Sequence, residues 1–261
     1  MGIKKYQNLL DRFVQKNIDL LGDNLIGIYL HGSAVTGCFN AEKSDIDLLT
    51  VVENDLSYET KKMYMDMTIE FNKEAPPKGM ELSIVKEEFL KPFAYPTPYE
   101  LHFSLMHLDW YRSNPNEYIE KMKGTDKDLA AHVTVIYHRG KTLYGKEIKE
   151  VFSPVGKKEY FDSLWHDIHN AKTDILNNPT YIILNLCRVL AYVKVCLVLS
   201  KKEGGEWGLM NVPEKYRTLI TAALEEYQND AKVSTDEEQA EEFAEYMLSE
   251  IEKDKEKISG K

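Results

Sequence analysis

Three cysteines in 261 residues, Cys38, Cys187 and Cys196, are too few for a disulfide framework and show no metal-ligand spacing. A reducing cytoplasm is the simplest home for such a chain. Long apolar runs are also missing. The most apolar stretch, residues 182–199, is interrupted by Asn185, Arg188 and Lys194. A membrane span needs about 20 nearly uninterrupted apolar residues, so this stretch reads as a buried helix. The opening MGIKKYQNLLDRF is polar and amphipathic, without the apolar core of a targeting segment. Positive charge is in deficit, with 33 Lys+Arg against 43 Asp+Glu and a formal net charge of -10. Nucleic-acid affinity rests on Lys and Arg displacing counterions, which moves nucleic acid down the list of partners. From Glu225 to Lys261 thirteen acids face five lysines, a net of -8, so the first 224 residues are nearly neutral. That terminal charge reads as a solvated helix face. Internal repeats and low-complexity tracts are absent, and the 43% hydrophobic and 29% charged content is that of a folded globular protein.

The patterning divides the chain into an α+β half and a helical half. Residues 3–21 carry Leu9, Leu10, Phe13, Ile18 and Leu20 at helical spacing. LIGIYLHGS then reads as a strand entering a turn, AVTGCFNAEK as a loop and SDIDLLTVVEN as a second strand. A charged helix over 58–73 stops at the breaker APPKG, and MELSIVK follows as a third strand. Residues 92–117, rich in Pro, Tyr, Phe and His, have no clear period, and a helix is expected over 126–139. FSPVG at 152–156 is the best linker, which sets domains at 1–155 and 156–261. Helices are expected beyond it over 157–176, 180–200, 214–228 and 235–257; the last spaces Phe243, Met247 and Ile251 four apart.

The segment that carries chemistry is Gly32-Ser33, a loop of eleven residues, then Asp45-Ile46-Asp47. Strand side chains alternate, so Asp45 and Asp47 point to one side and Ile46 to the other. Two such carboxylates repel each other unless a cation lies between them, and Mg²⁺ prefers oxygen ligands and substrate phosphates. The Gly-Ser turn offers backbone N–H groups and a hydroxyl to a phosphate oxygen. Glu81 opens the third strand; if that strand lies beside the second, Glu81 faces the same centre, as a metal ligand or as the base for an attacking hydroxyl. An isolated D-x-D is more often a solvated loop end. Here the turn, the alternation, the apolar strand and the later acid occur in order, and a nucleoside-triphosphate grip is the better reading.

These residues resemble the nucleotidyltransferase superfamily related to DNA polymerase β. The blocks YLHGSAVTGCFNAEKSDIDLLTVV, ELSIV, YPTPYELHFS, DKDLAAH, LYGKEI, LNLCRVLAYVKV, KKEGGEWGL and VPEKY, spread over nearly the whole chain, are similar to the aminoglycoside (3'')(9)-adenylyltransferases. The resemblance implies a polymerase-β-like domain with a mixed sheet and a C-terminal helical bundle that together enclose ATP and drug. It implies that Gly32, Ser33 and Ser44 meet the ATP phosphates, that Asp45 and Asp47 hold Mg²⁺, and that Glu81 is the catalytic base. It also implies that Arg188 and Lys201 reach the triphosphate and that Tyr227 meets the nucleotide. An Arg in an apolar helix needs an anionic partner; a phosphate or an interhelical salt bridge would serve.

The same resemblance marks departures in the drug site. His169 stands where streptomycin-accepting relatives carry a tryptophan, whereas Asp174 keeps their acid. Asn178-Pro179-Thr180-Tyr181 replaces D-E-R-N, and Leu105-Met106 replaces E-W. Asp174, Asn178 and Glu81 are the expected drug contacts. The implied activity is ATP- and Mg-dependent O-adenylylation of an aminocyclitol, spectinomycin at its 9-hydroxyl or streptomycin at its 3''-hydroxyl, giving antibiotic resistance. The rival readings are adenylylation of another small molecule, of a protein or of RNA, and a non-catalytic nucleotide-binding module. His31, His102, His107, His132 and His138 show no zinc-site spacing and read as core or surface residues. The aromatic segment 93–111 fits a wall of the drug cleft or packing between domains. Oligomeric state cannot be read from the sequence.

Overall fold

Side-chain alternation along three apolar strands decides the layout of the first of two compact units, which divide between Val155 and Gly156. The computed structural model describes residues 2–229 and 236–258. The first unit runs α1 (Gln7–Leu21), β1 (Leu25–Leu30), α2 (Ser33–Thr36), β2 (Ile46–Val52), α3 (Tyr58–Asn72), β3 (Met80–Lys86), β4 (Thr97–Tyr99) and β5 (Leu101–Phe103). It continues with α4 (Leu108–Ser113), α5 (Pro115–Lys121), β6 (Gly124–Asp126), α6 (Leu129–Arg139), β7 (Lys141–Gly145) and α7 (Ile148–Val151). The main sheet has the order β5-β3-β2-β1-β7, and β4 pairs with β6 apart from it. β2 and β3 are parallel while β1–β2, β1–β7 and β3–β5 are antiparallel, so the sheet is mixed.

One face of this sheet carries Ile28, Leu30, Ile46, Leu48, Leu82 and Ile84, which pack with Phe13 of α1 and Tyr64 and Met65 of α3. The other face carries Tyr29, Leu49, Val51 and Val85, packed with Leu129, Val133 and Ile136 of α6. The alternation therefore sends Asp47 and Glu81 to the α6 face, at the end of the strands where the apolar packing stops. Phe152 and Ser153, expected in the linker, are held by the first unit: Phe152 is buried edge-on to Tyr29 and Ser153 bonds Leu90.

The helical unit holds α8 (Lys157–Ile168), α9 (Ala171–Asn177), α10 (Pro179–Val195), α11 (Lys201–Asn211), α12 (Arg217–Gln228) and α13 (Glu237–Ile258). α10 packs against each of the other five and is its core. Phe243, Met247 and Ile251 of α13 are buried, as their spacing predicts; Thr235, at the start of the expected helix, lies outside the described residues.

Two expectations need correction. The helix expected over 157–176 breaks at His169–Asn170, where the Asn170 carbonyl restarts the chain by accepting the N–H groups of Thr173 and Asp174. The helix expected over 180–200 stops at Cys196, which has a left-handed φ of 56°. Residues 201–211, to which the pattern assigned no element, form a helix that contains Gly204 and Gly205. Its start is a capping box: Ser200 Oγ accepts the Glu203 N–H, and the Glu203 carboxylate accepts the Ser200 N–H. No described helix is long and apolar enough to cross a membrane.

The glycines of α11 let it lie against α10. A Cβ on Gly204 would stand 2.6 Å from Arg188 Cβ and 2.8 Å from its backbone nitrogen, atoms that cannot swing aside. Helix propensity favours Ala over Gly by about 1 kcal/mol, whereas overpacking costs about 1–3 kcal/mol. Gly204→Ala is therefore expected to lower stability in urea denaturation; a gain would show that the two helices can separate without loss.

Candidate active site

At the end of β1 the chain passes through buried His31 and turns at Gly32, whose φ is 62°. A Cβ there would collide with the Asp47 carboxylate, so glycine serves both the turn and the close passage of that side chain. Ser33 opens α2, and its Oγ is buried, an orphaned hydroxyl with no hydrogen-bond partner among the described residues. The loop then returns to β2 through Ser44, which is buried and tied to Asn40 by two hydrogen bonds of 2.7 and 3.0 Å. Ser44 Oγ accepts in that contact, which leaves its own hydrogen to donate.

Asp47 lies directly beside Glu81 in the parallel register of β2 and β3. Asp45 precedes Asp47 by one alternation, and the carboxylates of Asp45, Asp47 and Glu81 come within 4.8 Å of one another, all half-buried. The backbone holds the cluster from both sides: the His31 N–H donates to the Asp47 carbonyl and the Ile46 N–H to the Gly79 carbonyl, each at 3.1 Å. Burial raises the Glu81 pKa, and the negative charges of Asp45, Asp128 and Asp126 add to this, while His132 opposes them.

His132 is a member of the site that the sequence reading did not select. Its Nε2 lies 3.3 Å from Asp128 Oδ2 and 3.9 Å from Glu81 Oε1, and its ring packs 4.8 Å from that of His31. Burial disfavours the imidazolium, but Asp128, Glu81 and Asp47 outweigh it and raise the His132 pKa to about 10. His31, more deeply enclosed and beside that cation, is pushed well below the usual histidine range. The available signal is D-K-D-L-A-A-H, which sets Asp128 and His132 four apart on one helix face. His102, on β5, bonds Ser83 at 2.9 Å, and burial lowers it to about 4.

The helical unit gathers two of its three expected nucleotide contacts. Arg188 Nη2 lies 3.6 Å from Asp167 Oδ2, the interhelical ion pair open to it, and Lys201 Nζ lies 4.4 Å from the Tyr181 ring centre. Asp167 also accepts from Tyr181 Oη at 2.9 and 3.1 Å and from Asn185 Nδ2 at 3.0 Å. Tyr227 is half-buried near the end of α12. Asp174 is half-buried on α9 and Asn178 is exposed between α9 and α10. Exposed His169 turns its Nδ1 to the His166 carbonyl at 2.8 Å.

A folded-state pKa above the ordinary value means that the stabilisation held by protonated His132 is complete below about pH 6.5 and is lost as pH rises through about 10. In that window the wild type should lose about 1.4 kcal/mol per pH unit from this group. His132→Gln should remove that slope in urea denaturation of the metal-free protein. Equal slopes in the two proteins would show that His132 is neutral.

A family model of the nucleotidyltransferase domain matches residues 9–103, and one of the aminoglycoside adenylyltransferase C-terminal domain matches residues 150–250. The spectinomycin 9-adenylyltransferase of Staphylococcus aureus is 26% identical over 220 residues, 81% of each chain. That of Campylobacter jejuni is 22% identical over 260 residues, 97% of this chain and 98% of its own. Among solved structures, the spectinomycin adenyltransferase AAD(9) from Enterococcus faecialis, solved with ATP and spectinomycin, superposes with a TM-score of 0.78. It is 21% identical, over 93% of this chain and 98% of its own, a likeness of fold. The chain thus carries, in order, a region similar to nucleotidyltransferase domains and a region similar to the C-terminal domain of aminoglycoside adenylyltransferases.

Proposed function

We propose that the protein transfers the adenylyl group of ATP to a hydroxyl of an aminocyclitol antibiotic, with spectinomycin and its 9-hydroxyl as the preferred acceptor. The observation that carries this reading is the convergence of Asp45, Asp47 and Glu81 within 4.8 Å beside the Gly32-Ser33 turn. Three clustered carboxylates are a hard-oxygen donor set that suits Mg²⁺. Asp45 and Asp47 would hold it with Glu81 beside them, and the bound ion would neutralise phosphate charge. The orphaned Ser33 hydroxyl, Ser44 and the turn's backbone N–H groups would take phosphate oxygens.

In the reaction the acceptor oxygen bonds to the α-phosphorus while its proton passes to Glu81. The bond from that phosphorus to the bridging oxygen breaks, and pyrophosphate leaves with the electron pair. The raised pKa of Glu81 suits the task, since a base works best when its pKa approaches the working pH. Arg188, Lys201 and Tyr227 are assigned to the nucleotide on the strength of the family resemblance, the first two as positive charge for the phosphates.

The acceptor is argued from the relatives' activity toward spectinomycin and from this chain's departures. Asp174 and Asn178 are the proposed drug contacts in the helical unit. His169 in place of tryptophan, and Asn178 in place of an acid, weaken a streptomycin site. Each lost hydrogen bond to a charged group is worth about 1.5–3 kcal/mol, roughly 10- to 100-fold in affinity. The modified antibiotic would no longer act, which gives resistance in the cytoplasm.

Pyrophosphate release with ATP, Mg²⁺ and each drug tests the reading. Spectinomycin should support turnover and streptomycin much less. Glu81→Gln should lower kcat by about 10²- to 10⁴-fold. Undiminished turnover in that variant would remove Glu81 from the chemistry, and no release with any aminocyclitol would overturn the acceptor class.

A further inference from the structure

Glu81 is the one acid of the cluster that has to keep a carboxylate oxygen aimed at the acceptor, yet no backbone hydrogen bond orients its side chain among those described. Its ion-pair partner is His132, and the surroundings of that ring are more constrained than those of Glu81 itself. α6 is anchored by Leu129, Val133 and Ile136 in the core shared with Leu49, Val51 and Val85. One flank of the imidazole rests on buried His31, 4.8 Å between centroids. Its Nε2 is drawn toward Asp128 Oδ2 at 3.3 Å, one turn back on the same helix. The His132 side chain is 19% exposed against 30% for Glu81, so the ring is the fixed partner and the carboxylate the adjustable one.

We propose that His132 is a positioning residue for the catalytic carboxylate: its Nε2–H, held between Asp128 and Glu81, steers Glu81 Oε1 and leaves Oε2 to face the acceptor hydroxyl. The inference rests on the proposed adenylyl transfer. The present 3.9 Å separation is ion-pair distance rather than a hydrogen bond. Catalytic contacts often tighten when substrate binds, and a small turn of the Glu81 side chain would bring Oε1 within reach. His132 neither gives up nor takes the transferred proton; it sets which oxygen receives it. His31 has a supporting part, because it holds the ring's flank while its own N–H fixes the backbone of Asp47.

Steady-state kinetics of the full chain with ATP, Mg²⁺ and spectinomycin tests this. Orienting partners one step removed from a catalytic group are typically worth about 10- to 100-fold. His132→Ala should lose activity in that range in kcat, with KM for both substrates near wild type, and added imidazole should restore part of the rate. His132→Gln, which keeps a side-chain N–H, should retain more activity than His132→Ala, and it carries the same test if the Ala variant does not fold. A wild-type kcat in both variants would overturn the proposal. So would a loss confined to KM, or a loss that imidazole leaves untouched in a variant of wild-type melting temperature, since each points to packing alone. If the wild type itself transfers no adenylyl group to any aminocyclitol, the reaction assignment falls and this inference with it.

Discussion

The in-register parallel pairing of β2 and β3 is the constraint from which the site follows. It sets Asp47 beside Glu81, and β-alternation adds Asp45 to the same side. A slip of one residue would send one acid into the core face with Leu48 and Leu82 and break the cluster. The apolar residues on both faces therefore specify the chemistry as much as the fold does, because each Ile, Leu or Val that must be buried forbids the slip. Parallel strands buried on two faces normally read as continuous apolar runs. In IDLLTVV and MELSIVK the exceptions to that rule near the strand starts are Asp47 and Glu81.

Three like charges within 4.8 Å repel, and the protein does not relieve this by spreading them. It encloses Glu81 and brings a histidine from α6 to its edge. Burial and neighbouring acids raise the Glu81 pKa while His132 lowers it. If Glu81 is the base of the proposed transfer, the two opposing influences set its basicity between that of a solvated carboxylate and that of one buried without a cation. The intermediate arrangement leaves a carboxylate of increased basicity next to positions suited to a divalent ion and to phosphate.

The strands and acids of this site were legible because their signals are local. Alternation placed Asp45 and Asp47 on one side of a strand, and the Gly-Ser turn is contiguous with β1. β7 was missed because KTLYG is a largely exposed edge strand with little apolar pattern. α11 was missed because the Gly204-Gly205 pair conceals a Ser200–Glu203 capping box, and those glycines answer to the surface of α10 rather than to the helix that contains them. His132 could not be selected by spacing to Glu81, since the two meet through the packing of α6 on the sheet. Lys201 and Tyr227 carry no local signal and were named through family resemblance alone.

The acidity of the chain illustrates why a global quantity is a weak guide to a site. Most of the net charge falls within residues 225–261, and the described acids of α13 pair with lysines: Glu242 with Lys215, Glu245 with Lys172, and Glu250 and Asp254 with Lys194. Pairs as exposed as the first two contribute about 0–1 kcal/mol each. They tie the terminal helix to its neighbours in the bundle and tune no group for chemistry. The three carboxylates of the site, Asp45, Asp47 and Glu81, are instead half-buried and lie within 4.8 Å of one another, with His132 at the edge of the cluster. Such a cluster of half-buried oxygens seeks a cation whatever the net charge of the chain around it.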